Sequence, residues 1–326
     1  MRSRPARTGF LAFLAFLAAS PAAAHPGTGI VEDRSGNIYY TDLERVWRLA
    51  PDGTRSVAVP GVHTHELYLD PAGNLYGEHA WYEGDATGKW GWRIWRRRPD
   101  GAIETVVPPT EGFRKAYSFV RDAAGTMYWP EGSDGLILRQ APGAAASPAA
   151  SSRFGAVRSM AVRADGTLYL IDGEDLVRIL PSGAVRRVAR NLAERRHGQP
   201  FVNPHHRLMG LWSDPAGNVY VAVWGAQMVK RVDPEGRVTV AARSTFPWSP
   251  TGGLVARDGR LWLLEYSVTN AVRVRPADAP GSPPWVWALF ALAAFVLLAL
   301  PLAVYRARRG RKCGPSGGFE QSAGPR

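Results

Sequence analysis

Cysteine is almost missing from this chain: the single one, Cys313, lies in the last stretch of the sequence. Everything before it is therefore without disulfides and without thiolate chemistry. No CxxC pair and no HxxxH pair occurs, so the commonest zinc signatures are absent. There is also no Asn-x-Ser/Thr sequon. With the high Ala, Arg and Gly content, these gaps fit a bacterial envelope protein better than a eukaryotic surface protein.

Long apolar runs are confined to the two ends. Arg2, Arg4 and Arg7, the apolar stretch from Phe10 to Ala19 and the small residues Ala22-Ala23-Ala24 have the order of a secretory signal peptide, residues 1–24, cleaved before His25. Near the other end, residues 285–305 carry no charge. At 1.5 Å per residue they reach about 31 Å, enough to cross a bilayer core. Trp285, Trp287 and Tyr305 flank the run as interfacial anchors, and a basic tail, residues 306–326, follows. The expected topology is a single-pass membrane protein with its body on the periplasmic or extracellular side and its C-terminus in the cytoplasm.

The formal net charge of +12 loses most of its meaning once the ends are set aside, because the leader holds three basic residues and the tail a net five, leaving +4 for residues 25–305. A nucleic-acid partner is not implied. The partners to expect are the membrane and an unknown small molecule, glycan or protein.

Between leader and span the sequence repeats. Aligned on a turn glycine, Gly36, Gly73, Gly125, Gly166, Gly217 and Gly259 are each followed three residues later by an aromatic: Tyr39, Tyr76, Tyr128, Tyr169, Tyr220 and Trp262. The intervals of 37, 52, 41, 51 and 42 residues are close to the length of a propeller blade, with insertions in two of them. Short β-branched and aromatic runs fill each unit, and second turns such as Pro51-Asp52-Gly53 and Pro234-Glu235-Gly236 close most units. Such a sheet cannot bury both its faces alone, but a closed ring of six can. The fold class expected is all-β: a six-bladed β-propeller over residues 25–276, a Pro/Gly linker at 277–284, and the C-terminal transmembrane helix. Blade 3 has no clear outer strand in Ala144 to Ser152, and only His25 to Gly27 precede the first inner strand, so the ring is expected to close by packing of blades rather than by a shared strand.

The stretches "GNIYYTD" with "VWRLAPDG" and "GNVYVAV" with "MVKRVDPEG" resemble NHL repeats, over residues 28 to 276. The resemblance implies a propeller of the kind found in binding modules, in gluconolactonase- and regucalcin-like proteins, and in peptidyl-amidating lyases. Gluconolactonase-like proteins place a Glu and two Asn around Ca²⁺ at the starts of inner strands. The matching positions here are Thr28, His65, Tyr117, Arg158, Met209 and Thr251, so neither activity transfers residue by residue.

Strand direction puts all the tight turns on one face and both insertions on the other. One insertion runs from Glu78 to Trp92 in blade 2; the other runs from Asn191 to Met209 before blade 5. In a ring of six these two blades face each other across the axis. The residue six after each turn glycine also lies on that face, and the series reads Asp42, His79, Glu131, Asp172, Val223 and Glu265. An acid there is expected to brace its blade through hydrogen bonds.

His63 and His65, two apart on one strand, point to the same side, and His79 comes from the next strand. Together with His206 from the blade 5 insertion they are candidate ligands for one divalent metal ion, Zn²⁺ or Ca²⁺, with Glu78 or Glu131 as general base. Trp81, Tyr82, Trp90, Trp92, Tyr117, Arg158 and Arg207 are the candidate ligand-binding residues, and Trp95 is expected in the core. Two functional readings follow: a membrane-anchored envelope propeller that binds a ligand or partner on its insertion face, and a metal-dependent hydrolase or lyase at the pore mouth.

Overall fold

The computed structural model describes residues 26–112, 114, 116–132, 135–194 and 207–279. The expected leader, membrane span and basic tail, and His206, lie outside these residues. Among the described residues, no helix is long and apolar enough to cross a membrane.

Six antiparallel sheets follow one another along the chain, each built by consecutive strands. Blade 1 consists of Ile30–Glu32, Ile38–Thr41, Arg45–Leu49 and Arg55–Pro60. Blade 2 consists of Leu67–Leu69, Leu75–Tyr82, Trp90–Arg97 and Ile103–Glu111, and its last three strands are longer than those of blade 1. Blades 4 and 5 are also four-stranded, whereas blade 6 has three strands, Trp248–Val255, Leu261–Ser267 and Val272–Pro276.

All six turn glycines lie in the left-handed region, with φ between 77° and 91°. Only glycine adopts it without strain, and the repeat follows from that need. An aspartate three residues before four of these glycines completes the turn. In "DPAGN" at Asp70, one carboxylate oxygen accepts the Asn74 backbone N–H at 2.8 Å, and the other accepts Asn74 Nδ2 at 2.8 Å and the Tyr76 hydroxyl at 3.2 Å. Asp33, Asp122 and Asp214 hold Tyr39, Tyr128 and Tyr220 in the same way. The recurring aromatic is thus one end of a strut that ties the turn to the second strand.

Blade 3 departs from the pattern. Its outer strand is reduced to Ser147–Pro148, as the weak outer-strand sequence suggested, and its inner strand to one bridge between Arg121 and Met127. Pro130, in the second strand, has no N–H to continue that ladder. The Ser118 carbonyl instead accepts Arg121 Nε at 3.0 Å.

The core is distributed. Six clusters of buried residues sit one at each blade boundary, from Val46, Leu75 and Trp95 between blades 1 and 2 to Ile38, Tyr40, Leu264 and Tyr266 between blades 1 and 6. No strand is shared across that last boundary among the described residues. Side chains close it: the Tyr266 hydroxyl donates to the Thr41 carbonyl at 3.2 Å, and the Arg257 backbone N–H to Glu32 Oε2 at 2.8 Å. Gly252 lies so near Thr28 that a Cβ would overlap the Thr28 carbonyl.

Candidate functional site at the pore mouth

A cavity of ≈ 500 Å³ opens at the ends of the inner strands. Four of the six inner-strand starts read from the sequence, Thr28, His65, Arg158 and Met209, line it, with Glu66, Glu78 and Arg114.

Glu78 is the centre of the arrangement. It sits five residues after its turn glycine, where the other blades place Thr41, Pro130, Ile171, Ala222 and Leu264. No blade other than the second puts an acid at this point of the second strand, which faces the core. Glu78 is 7 % exposed. Its Oε1 accepts the His65 backbone N–H at 2.6 Å and lies 3.2 Å from His65 Nδ1. Its Oε2 is buried and accepts no hydrogen bond from any described residue. Arg114 Nη1 is 3.9 Å from that oxygen, and Arg114 Nη2 donates to Glu66 Oε2 at 2.7 Å. Burial alone would raise the pKa of Glu78, but the His65 hydrogen bond and the Arg114 charge outweigh it and hold the carboxyl below its usual range. Glu78 is therefore a carboxylate at neutral pH.

The backbone beneath it is fixed. The Thr64 hydroxyl donates to the Glu78 carbonyl at 2.6 Å, and Trp95 Nε1 to the same oxygen at 3.0 Å. Trp95 is 1 % exposed, a core residue as its strand position suggested, and it fills the space that a side chain on Gly77 would need.

The histidines come together in part. The rings of His63 and His65 meet edge to face at 4.7 Å between centroids. His79 Nδ1, however, accepts the His63 backbone N–H at 3.0 Å. That nitrogen is spent on the blade, as His65 Nδ1 is spent on Glu78. Among the described residues no group of three or more His, Cys, Asp or Glu side chains could hold a metal ion. These donors do not fit the three-ligand centre anticipated at His63, His65 and His79, and its fourth member, His206, lies outside the described residues. Burial lowers the pKa of both His63 and His79, aided by His65 for the first and Arg93 for the second.

The remaining candidates separate. Arg158 lines the cavity. Arg207 does not; its Nη1 pairs with Glu174 at 2.7 Å. Glu131 is exposed at the end of its strand and is no part of the cavity wall, so only Glu78 of the two acids stands with the histidines. Tyr82 and Trp90, cross-strand partners near the tip of the blade 2 hairpin, are 60 % and 37 % exposed. Trp81 is half-buried with its ring over Gly91. Trp92 is 8 % exposed and packs with Ile94, Phe119 and Tyr117 at the boundary of blades 2 and 3. Trp92 and Tyr117 are thus packing residues, because the strand that carries Trp92 lies against blade 3.

Sequence reasoning missed Glu66 and Arg114. Glu66 adjoins His65 and was in view, but Arg114 reaches the site from the connection between blades 2 and 3, and no periodic pattern marks it.

No protein-family model matches the sequence, and no curated protein matches it. Solved structures do. A streptogramin B lyase structure is 15 % identical over 76 % of this chain and 93 % of its own, with a TM-score of 0.50. A gluconolactonase from Xanthomonas campestris is 16 % identical over 76 % and 85 %, TM-score 0.49, and regucalcin, a calcium-binding protein from Agrobacterium tumefaciens, is 17 % identical over 73 % and 81 %, TM-score 0.44. At such identity the likeness is one of fold: the chain is a six-bladed β-propeller.

Proposed function

We propose that this protein is a membrane-anchored propeller of the cell envelope that binds a small polar ligand at the mouth of its pore, above Glu78 and His65. The anchoring and the exposure rest on the leader of residues 1–24, the apolar run of 285–305 and the basic tail. The binding rests on Glu78. Oε2 of this buried carboxylate accepts no hydrogen bond from a described residue, and five other blades fold without an acid there. Such a group, on the wall of a cavity, is best explained by what the cavity receives.

The test is thermal unfolding of the full chain in detergent against a panel of sugars, lactones, amino alcohols and polyols, beside Glu78→Gln. A compound that stabilises the wild type and leaves Glu78→Gln unmoved supports the reading. Equal stabilisation of both by every active compound removes it.

The His65 to Glu78 contact favours a second reading, a hydrolase or lyase acting on a lactone-type substrate. A carboxylate at Nδ1 holds the imidazole in one orientation and tautomer, which leaves Nε2 as a general base. Lactone opening that is lost in His65→Asn is the expected result.

A further inference from the structure

The opposite end of the pore carries a second cavity, larger than the first, at ≈ 1010 Å³. It is walled by the tight turns and the strand ends beside them, the face without insertions. Six arginines line it: Arg34, Arg48, Arg97, Arg121, Arg163 and Arg257, drawn from blades 1, 2, 3, 4 and 6. Four acids share the wall, Glu32, Asp33, Asp70 and Asp122.

The acids do not consume the arginines. Asp33, Asp70 and Asp122 are the turn struts, and their oxygens accept backbone N–H groups, asparagine amides and tyrosine hydroxyls. Glu32 accepts the backbone N–H of Arg257. The guanidinium groups find other supports. Arg34 Nη2 donates to the Pro71 carbonyl at 2.8 Å, and Arg121 lies over the rings of Tyr68 and Tyr117, 5.4 and 5.1 Å from their centroids. The guanidinium groups of Arg48 and Arg257 make no hydrogen bond or ion pair with another described residue. Cation excess in a concave site with low-dielectric walls focuses a positive potential, and guanidinium forks match phosphate and carboxylate oxygens in pairs.

We propose that the turn-side cavity binds a small polyanion, a molecule carrying two or more phosphate or carboxylate groups, independently of the site at Glu78. The arginine-lined wall supplies the charge, and the Arg121 guanidinium, fixed between two rings, supplies a preorganised donor.

Calorimetric titration of the full chain in detergent at low salt, with pyrophosphate and with citrate, tests this and separates the two anion chemistries. One or both probes should bind at one site per chain. Affinity should fall about tenfold or more in Arg48→Gln/Arg257→Gln, the loss expected from charge-assisted hydrogen bonds. Arg260→Gln, which alters an exposed arginine paired to Asp258 outside the cavity, should leave it unchanged, as should Glu78→Gln. If the double variant does not fold, Arg257→Gln alone, an exposed side chain, carries the same comparison. Absence of binding by both probes, or equal loss in Arg260→Gln, overturns the proposal.

Discussion

His79 holds the backbone N–H of His63 just as Asp172 holds that of Ala156. The two pairs stand the same sixteen residues apart in blades 2 and 4, with lengths of 3.0 and 2.8 Å. Each acceptor is the sixth residue after its turn glycine. His79 is therefore a brace that happens to be an imidazole, and the acids Asp42, with Trp47 Nε1 and the Arg45 backbone N–H as donors, and Glu265 brace their own blades.

If the brace is the role, His79→Asp should keep it. Replacement by Ala should cost about 1 kcal/mol, the net worth of such a bond. The pH dependence separates the variants further. The pKa of His79 in the folded state lies below the ordinary value of 6.5, so as pH falls through 6.5 the unfolded chain takes up the proton first and stability is lost until the folded value is passed. The acid at position 79 removes that part of the decline. Urea unfolding of both variants and the wild type from about pH 7.5 to 5 measures it.

Glu78 acts in a lower window. Its folded pKa is depressed below 4.5, so its contribution to stability is complete above that value and is lost as pH falls through the folded one. Glu78→Gln should unfold with a shallower dependence on pH below about 4.5 than the wild type, read by circular dichroism during acid titration. An unchanged profile would mean that the carboxylate is not stabilised as its neighbours imply.

Glu265 is 0 % exposed and accepts from Ser244 at 2.5 Å, from Arg273 at 2.6 Å and from Arg275 at 3.0 and 3.1 Å. Its removal strands two guanidinium groups in blade 6, which lacks a fourth strand. Glu265→Ala should cost about 3 to 5 kcal/mol, the usual penalty for breaking a buried pair. A loss below about 1 kcal/mol in chemical denaturation would show that solvent reaches the network.

The aromatic residues of blade 2 divide in the same way. Trp92→Ala should destabilise by about 3 to 5 kcal/mol, because its ring is buried between blades. Tyr82→Ala, at an exposed hairpin tip, should stay within about 0.5 kcal/mol. Equal Tm values for the two variants would remove Trp92 from the core.

Much of this was legible in the sequence because it is local and repeated. The turn glycines need positive φ wherever they occur, and each carries its aspartate or aromatic partner within a few residues, so the blades and the starts of their inner strands could be placed by counting. Thr28, His65, Arg158 and Met209 reach the pore mouth for that reason. Glu78 was visible as an acid near histidines, but its singularity shows only when its position is set against the other five blades. The inward turn of Trp92 and the approach of Arg114 to Glu66, 48 residues away, depend on how one blade lies against the next. No short-range pattern encodes that.

The boundary between blades 1 and 6 bears on both ends of the pore. Thr28 belongs to the wall at one end, and Glu32 and Arg257 to the wall at the other. A barrel sheet would fix its girth through continuous backbone pairing, but here the circle is fastened by a tyrosine hydroxyl, a carboxylate and a pair of facing glycine and threonine backbones. Whatever enters either mouth therefore works against a clasp, not a hoop.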